Sequence, residues 1–194
     1  RLPPMRRLAP HAAILVIPLA GCRAQNATSA PPSPAAVAAS AASGEIRVTL
    51  VAGGLEHPWA VLPLPDGRFL VTERPGRLRY VERDGKLSAP LAGVPEVWAQ
   101  GQGGLLDVVA APDFATSRRI WLCYAEPGPN GTAGTAVGYA TLGSDRIDGL
   151  TRVYQQQPKL EGPNHFGSRI AFDREGHVFI SQGVRNDRPT AQEL

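Results

Sequence analysis

The distribution of apolar residues changes character near Glu45. Before it lie one compact apolar run, Ala12 to Ala20, and an alanine-rich stretch; after it, short apolar runs alternate with turns. Ile46-Arg47-Val48-Thr49-Leu50-Val51 alternates with β-branched residues, the period of a half-buried strand. Trp59 to Leu64 is a second run, turned at Pro65-Asp66-Gly67 into Phe69-Leu70-Val71-Thr72. Pro75-Gly76 leads into Leu78-Arg79-Tyr80-Val81, and Asp84-Gly85 closes that unit. No long helical period occurs, so an all-β fold is expected.

The unit recurs. An apolar run, a turn with aspartate and a second apolar run are present at Trp59–Leu64, Asp66 and Phe69–Thr72. They return at Leu105–Ala111, Asp113 and Ile120–Tyr124, and again at Ile170–Phe172, Asp173 and Val178–Ser181. The turn aspartates are 47 and then 60 residues apart (113 − 66 and 173 − 113), a spacing that suits propeller blades with variable outer loops. A β-sandwich also fits turns at regular intervals. Repeated sheets with long intervening segments favour the propeller.

Residues 1–22 read as a lipoprotein-type export signal. Met5-Arg6-Arg7 forms a positive start, Ala12 to Ala20 an apolar centre, and Leu19-Ala20-Gly21-Cys22 ends it with small residues before a cysteine suited to lipidation. A plain secretory signal is the alternative; the run is too short to span a bilayer. Residues 23–44, with Ser29-Ala30-Pro31-Pro32-Ser33-Pro34 and an alanine-serine run, have too little bulky apolar surface for a core and are expected to be a disordered linker. The globular domain is then 45–194, exported to the periplasm and tethered to the membrane through Cys22.

Charge supports no nucleic-acid role. Removing Arg1, Arg6 and Arg7 with the signal takes Lys+Arg from 20 to 17 against 17 Asp+Glu, and no basic stripe with interleaved aromatics is left. Candidate chemistry lies instead in Gly162-Pro163-Asn164-His165-Phe166-Gly167-Ser168-Arg169, a histidine in a glycine-flanked loop before an apolar strand. Imidazole suits proton transfer near neutral pH. In a propeller, loops before first strands and the ends of second strands share one face. Glu56-His57-Pro58, Gln100-Gly101-Gln102-Gly103-Gly104 and Asn164-His165-Phe166-Gly167 are expected to converge there, with Gln182-Gly183-Val184-Arg185 beside the last.

These segments carry a family resemblance. Gln102-Gly103-Gly104-Leu105-Leu106-Asp107 with Pro112-Asp113-Phe114, then Asn164 to Arg169, resembles the glucose/sorbosone dehydrogenase family, and within it the bacterial soluble aldose sugar dehydrogenases that use pyrroloquinoline quinone (PQQ). His57-Pro58-Trp59-Ala60, Thr72 to Leu78 and Arg188 to Leu194 extend the resemblance over Leu55 to Leu194. It implies a six-bladed β-propeller, of which this chain is expected to be roughly the N-terminal half, and oxidation of the C1 hydroxyl of aldoses to lactones.

The resemblance makes His165 the general base, with hydride passing to the quinone, and places Gln102 beside cofactor and sugar. Asn164 stands where soluble glucose dehydrogenases have aspartate, which removes one carboxylate and weakens the case for strict glucose preference. Arg169 is a further candidate for binding substrate or cofactor, or for pairing with a neighbouring carboxylate. The family's calcium site and the cations over its quinone are expected in segments after Leu194, so the chain alone is expected to be inactive. A noncatalytic propeller that binds sugars or protein partners is the alternative.

Blander roles are expected elsewhere. His57 precedes Pro58 at a strand start and reads as structural, His177 as a solvated turn residue, and Trp59, Trp98 and Trp121 as blade packing. Cys123, within Ile120-Trp121-Leu122-Cys123-Tyr124, reads as a small apolar core residue. No histidine and cysteine spacing suits zinc, and no nucleotide-binding glycine loop follows a strand.

Overall fold

The computed structural model describes residues 39–41, 44–186 and 189. The chain divides into two units, Arg1–Val48 and Thr49–Leu194. In the first, strands β1 (Ala39–Ala41) and β2 (Gly44–Ile46) pair as an antiparallel hairpin. The last residues of the expected linker therefore have backbone pairing. The export signal, Cys22 and the rest of the linker lie outside the described residues.

The second unit consists of antiparallel sheets in sequence order. The first joins β3 (Pro58–Pro63), β4 (Phe69–Glu73) and β5 (Arg77–Val81). The second has four strands, β6 (Leu105–Ala110), β7 (Arg119–Pro127), β8 (Ala133–Leu142) and β9 (Ile147–Gln155). The third joins β10 (Gly167–Phe172) to β11 (Val178–Gln182). One short helix, α1 (Phe114–Ser117), fills the turn between β6 and β7. Each sheet follows its sequence order, an up-and-down meander of the kind from which propeller blades are built.

The cores lie between successive sheets. Leu70, Leu78 and Tyr80 of the first sheet share an apolar cluster with Leu105, Ile120 and Leu122 of the second. Cys123 and Val137 of the second share another with Ile170 of the third, against Trp121, Phe172 and Val178. Polar staples tie the first strands together. Thr72 Oγ1 accepts from the Ala60 N–H at 3.0 Å and donates to the Leu106 carbonyl at 2.6 Å, joining sheets one and two. Buried Asp107 accepts from the Ile170 N–H at 2.8 Å and from Arg169 at 3.0 Å, joining sheets two and three. Buried polar groups are tolerated when they are satisfied in this way.

One expected strand is not formed. Beyond Ile46 the backbone has no strand through Leu55, although Ile46 to Val51 alternates correctly. Ile46 pairs with Ala39 as the end of β2, but among the described residues no strand pairs with Arg47–Val51. Thr49–Leu55 instead runs as irregular chain over the first sheet and lines an apolar groove with Val61, Phe69, Val71 and Val81.

Candidate functional site

Three loops meet where β3, β6 and β10 begin. They enclose an open cleft of about 410 Å³ lined by His57, Trp59, Arg74, Gln102, Leu106, His165 and Phe166. His57, Gln102 and His165 are far apart in sequence but occupy corresponding positions, each just before the first strand of its sheet. Short turns at the opposite end return each chain beside its first strand, so Arg74 and Arg185 follow second strands on the same side.

The His165 loop is held at nearly every backbone group. Gln102 Oε1 accepts from the His165 N–H at 2.8 Å, and the Gln102 N–H donates to the Pro163 carbonyl at 2.8 Å. The His165 carbonyl accepts from the Arg185 N–H at 3.2 Å, and Thr135 Oγ1 donates to the Phe166 carbonyl at 2.7 Å. These contacts hold His165 at φ 56°, a left-handed conformation that costs a non-glycine residue energy unless its surroundings enforce it. The Phe166 ring is buried against Leu106, Ala125, Ala133 and Trp98 and anchors the loop from below. The His165 residue itself is exposed at the cleft.

The other expected residues divide. Gln102 lines the cleft, and because Oε1 is used by the His165 N–H, its amide N–H groups remain available as donors. The Asn164 carbonyl accepts from Arg185 Nε at 2.9 Å, and its side chain is not among the cleft-lining groups. Arg169 pairs with Asp107 and lies over the Trp59 ring with its guanidinium carbon 4.3 Å from the centroid. It thus packs on a wall residue of the cleft. His57, read as structural, lines the cleft, while its carbonyl accepts from the Arg74 N–H at 3.1 Å. His177 is an exposed turn residue with Nδ1 2.7 Å from Asp173. Trp98 packs on Phe166 and Trp121 on Tyr139 and Phe172. Cys123 is buried, and that burial pushes its thiol up to about 12.

Two cations at the site had no assigned role from sequence. Arg74 lines the cleft and donates to the Gly101 carbonyl. It follows Glu73, a fully buried carboxylate that accepts from the Glu56 N–H and from Arg77 Nε at 2.8 Å. Burial works against the Glu73 charge, but the Arg77 and Glu56 hydrogen bonds outweigh it and hold the carboxyl below its ordinary value. Arg185, only 4% exposed, fills the space behind the His165 loop. The available signal in both cases was an arginine just past a second strand.

The comparisons agree with this architecture. Residues 55–194 match the family model of glucose/sorbosone dehydrogenases. Aldose sugar dehydrogenase YliI of Escherichia coli (strain K12) is 54% identical over 157 residues, which is 79% of this chain and 42% of that protein. The crystal structure of the soluble aldose sugar dehydrogenase from Escherichia coli in its apo form superposes with a TM-score of 0.70 at 56% identity, over 72% of this chain and 41% of the other. The PQQ-bound aldose sugar dehydrogenase from Streptomyces coelicolor superposes at 0.66 with 26% identity, over 75% of this chain and 43% of the other. The chain thus spans less than half the length of these relatives, and its sheets are blades of a β-propeller. With motif order, blade topology and both comparisons in agreement, the chain belongs to the glucose/sorbosone dehydrogenase family.

Proposed function

We propose that this chain supplies the base-bearing part of a PQQ-dependent site that oxidises the C1 hydroxyl of aldose sugars to lactones. The observation that carries the proposal is His165, clamped through its N–H by Gln102 at 2.8 Å and exposed in a cleft with Trp59 and Arg74. Family membership supports reading that cleft as a redox site.

The lining suits PQQ, a flat conjugated tricycle with three carboxylates. Trp59, Leu106 and Phe166 offer apolar surface for the ring system, Arg74 a cation for a carboxylate, and Gln102 amide donors. When bound, the quinone supplies the two-electron acceptor for the C1 hydrogen. Calcium is different. Among the described residues the only grouping of three His, Cys, Asp or Glu side chains suited to a metal is Asp173, Glu175 and His177, at the opposite end of the β10–β11 hairpin from His165. No such grouping lies among the described residues of the cleft, and no step depends on calcium.

The chain's own residues then divide the work. The His165 imidazole takes the proton of the C1 hydroxyl, a contribution of roughly 10²–10⁴ in rate for a well-placed base. Gln102 fixes the base through the backbone and orients sugar oxygens with its amide N–H groups. Residues 1–22 support export to the periplasm and tethering through Cys22, so we place the sugar in the periplasm.

The test is a graft in which residues 49–186 replace the matching part of the Escherichia coli aldose sugar dehydrogenase. With PQQ and calcium added, aldose-dependent dye reduction is expected, and none without PQQ. A folded, PQQ-loaded graft with no aldose oxidation would favour a noncatalytic sugar-binding propeller.

A further inference from the structure

We propose that Arg185 is the positioning residue of the site: a buried guanidinium that gathers the backbone carbonyls of the His165 loop and so fixes where His165 presents its imidazole. The inference rests on reading His165 as the base. Arg185 donates from Nε to the Asn164 carbonyl at 2.9 Å and from one terminal nitrogen to the Ala133 carbonyl at 2.6 Å. The other terminal nitrogen donates to the Gly162 carbonyl at 2.5 Å and reaches Leu160 at 3.5 Å. Its plane lies over the Phe166 ring, 3.8 Å from the centroid. Its own N–H donates to the His165 carbonyl at 3.2 Å. One residue therefore touches the loop at five points and ties it to the start of β8.

This is an unusual use of a buried charge. Among the described residues Arg185 has no carboxylate partner, and burial opposes its charge, yet arginine does not release its proton in proteins. The charge is stabilised by carbonyl dipoles and an aromatic face. That arrangement requires a planar fork with several donors, so lysine, a point charge on a flexible stem, is not equivalent. It also explains the loop's order. A methyl group at Gly162 would meet open space, and among the described residues only Gln102 besides Arg185 hydrogen-bonds the backbone between Glu161 and Asn164. Without Arg185, His165 would remain at the cleft but swing with its loop.

The test uses the full chain with Arg185→Lys and Arg185→Gly; the φ of 49° at this position suits glycine. Amide exchange is followed in the segment from 158 to 166, with β7 and β8 as internal controls. The His165 ring C–H resonance, assigned by its loss in His165→Ala, is followed with His177 as its control. Both variants should speed exchange in the loop by about tenfold or more while β7 and β8 stay protected. The His165 resonance should shift or broaden while that of His177 holds still. Methylguanidinium, filling the space left in Arg185→Gly, should restore both signals.

Unchanged loop exchange and an unchanged His165 resonance would overturn the inference, as would equal loss of protection in β7 and β8. If Arg185→Gly does not fold, Arg185→Lys decides by the same criteria. None of these signals needs quinone or sugar. A loosened loop together with full turnover in a His165→Ala graft would refute the base and leave the positioning role standing; an intact loop with lost turnover would do the reverse.

Discussion

Gly183→Ala presses on the backbone of His165 without altering any side chain that lines the cleft. Gly183 follows β11 and passes against the His165 loop so closely that a methyl group would lie 2.2 Å from the His165 carbonyl oxygen and 2.5 Å from its carbon. It would also lie 2.9 Å from the Gly167 nitrogen. Ordinary contact begins near 3.4 Å, so the carbonyl must retreat by about 1 Å (3.4 − 2.2 = 1.2). The obstructing atoms are backbone, and no side-chain rotation can relieve them. Overpacking of this kind costs roughly 1–3 kcal/mol. The Arg185 N–H to His165 bond, already 3.2 Å, would be strained in the same movement. A catalytic group misplaced by about 1 Å can lose on the order of 10²-fold in rate. Urea unfolding of the chain measures the first effect, and turnover per bound PQQ in the graft measures the second. Gly53→Ala is the control, since nothing lies within 4 Å of a methyl group there. A folded Gly183→Ala protein with turnover within about twofold of the parent would refute the reasoning.

Ser168→Gly should stabilise the chain. Ser168 is buried at φ 94° and its hydroxyl has no hydrogen-bond partner, with only the weakly bonding Cys123 thiol beside it. Relief of about 1–3 kcal/mol of strain, set against the roughly 0.5–1 kcal/mol that glycine costs, leaves a net gain near 1 kcal/mol in urea unfolding; a loss would count against the strain. Stability should also fall in acid. Burial opposes ionisation of Glu73 and Glu126, but Arg77 at the first and Lys159 with Arg152 at the second outweigh it, so both carboxyls titrate below 4.5 when folded. Their stabilisation is complete above 4.5 and is lost as pH falls through the folded values, so the urea midpoint should hold from neutral pH downward and then drop. In Glu73→Gln that drop should be shallower, and an unchanged slope would exclude Glu73 as a source. Arg74→Met should weaken PQQ binding to the graft by about tenfold, measured by fluorescence quenching; undiminished affinity would remove Arg74 as a quinone contact.

Apolar runs and turn chemistry reveal the first two strands of each sheet; in the second sheet these strands are buried on both faces, Leu122 towards the first sheet and Cys123 towards the third. The strands β8 and β9 were not legible in this way. β8 is Ala133-Gly134-Thr135-Ala136-Val137-Gly138-Tyr139-Ala140-Thr141-Leu142, and its small residues follow from crowding by neighbours. A methyl group at Gly138 would come within 2.9 Å of the Thr151 carbonyl of β9. β9 breaks its own period with register shifts against β8. The opposite error at Arg47–Val51, within the expected strand Ile46–Val51, has a related cause, since strand propensity without a partner gives no strand.

At the site, His165 and Gln102 were legible as polar residues in glycine-flanked loops, and the fold joins them by a direct hydrogen bond. Arg185 was expected beside the His165 loop, but its contacts were not legible, and neither was a place in the cleft for Arg74. Whether a cation just past a strand turns into solvent or into a cage of carbonyls depends on backbone groups distant in sequence, such as Ala133 for Arg185.

The most direct measurement of the central claim is aldose turnover per bound PQQ in the graft with and without His165→Ala. If His165 takes the C1 hydroxyl proton, turnover should fall by roughly 10²–10⁴ while PQQ remains bound. Unchanged turnover with PQQ bound would contradict His165 as the base.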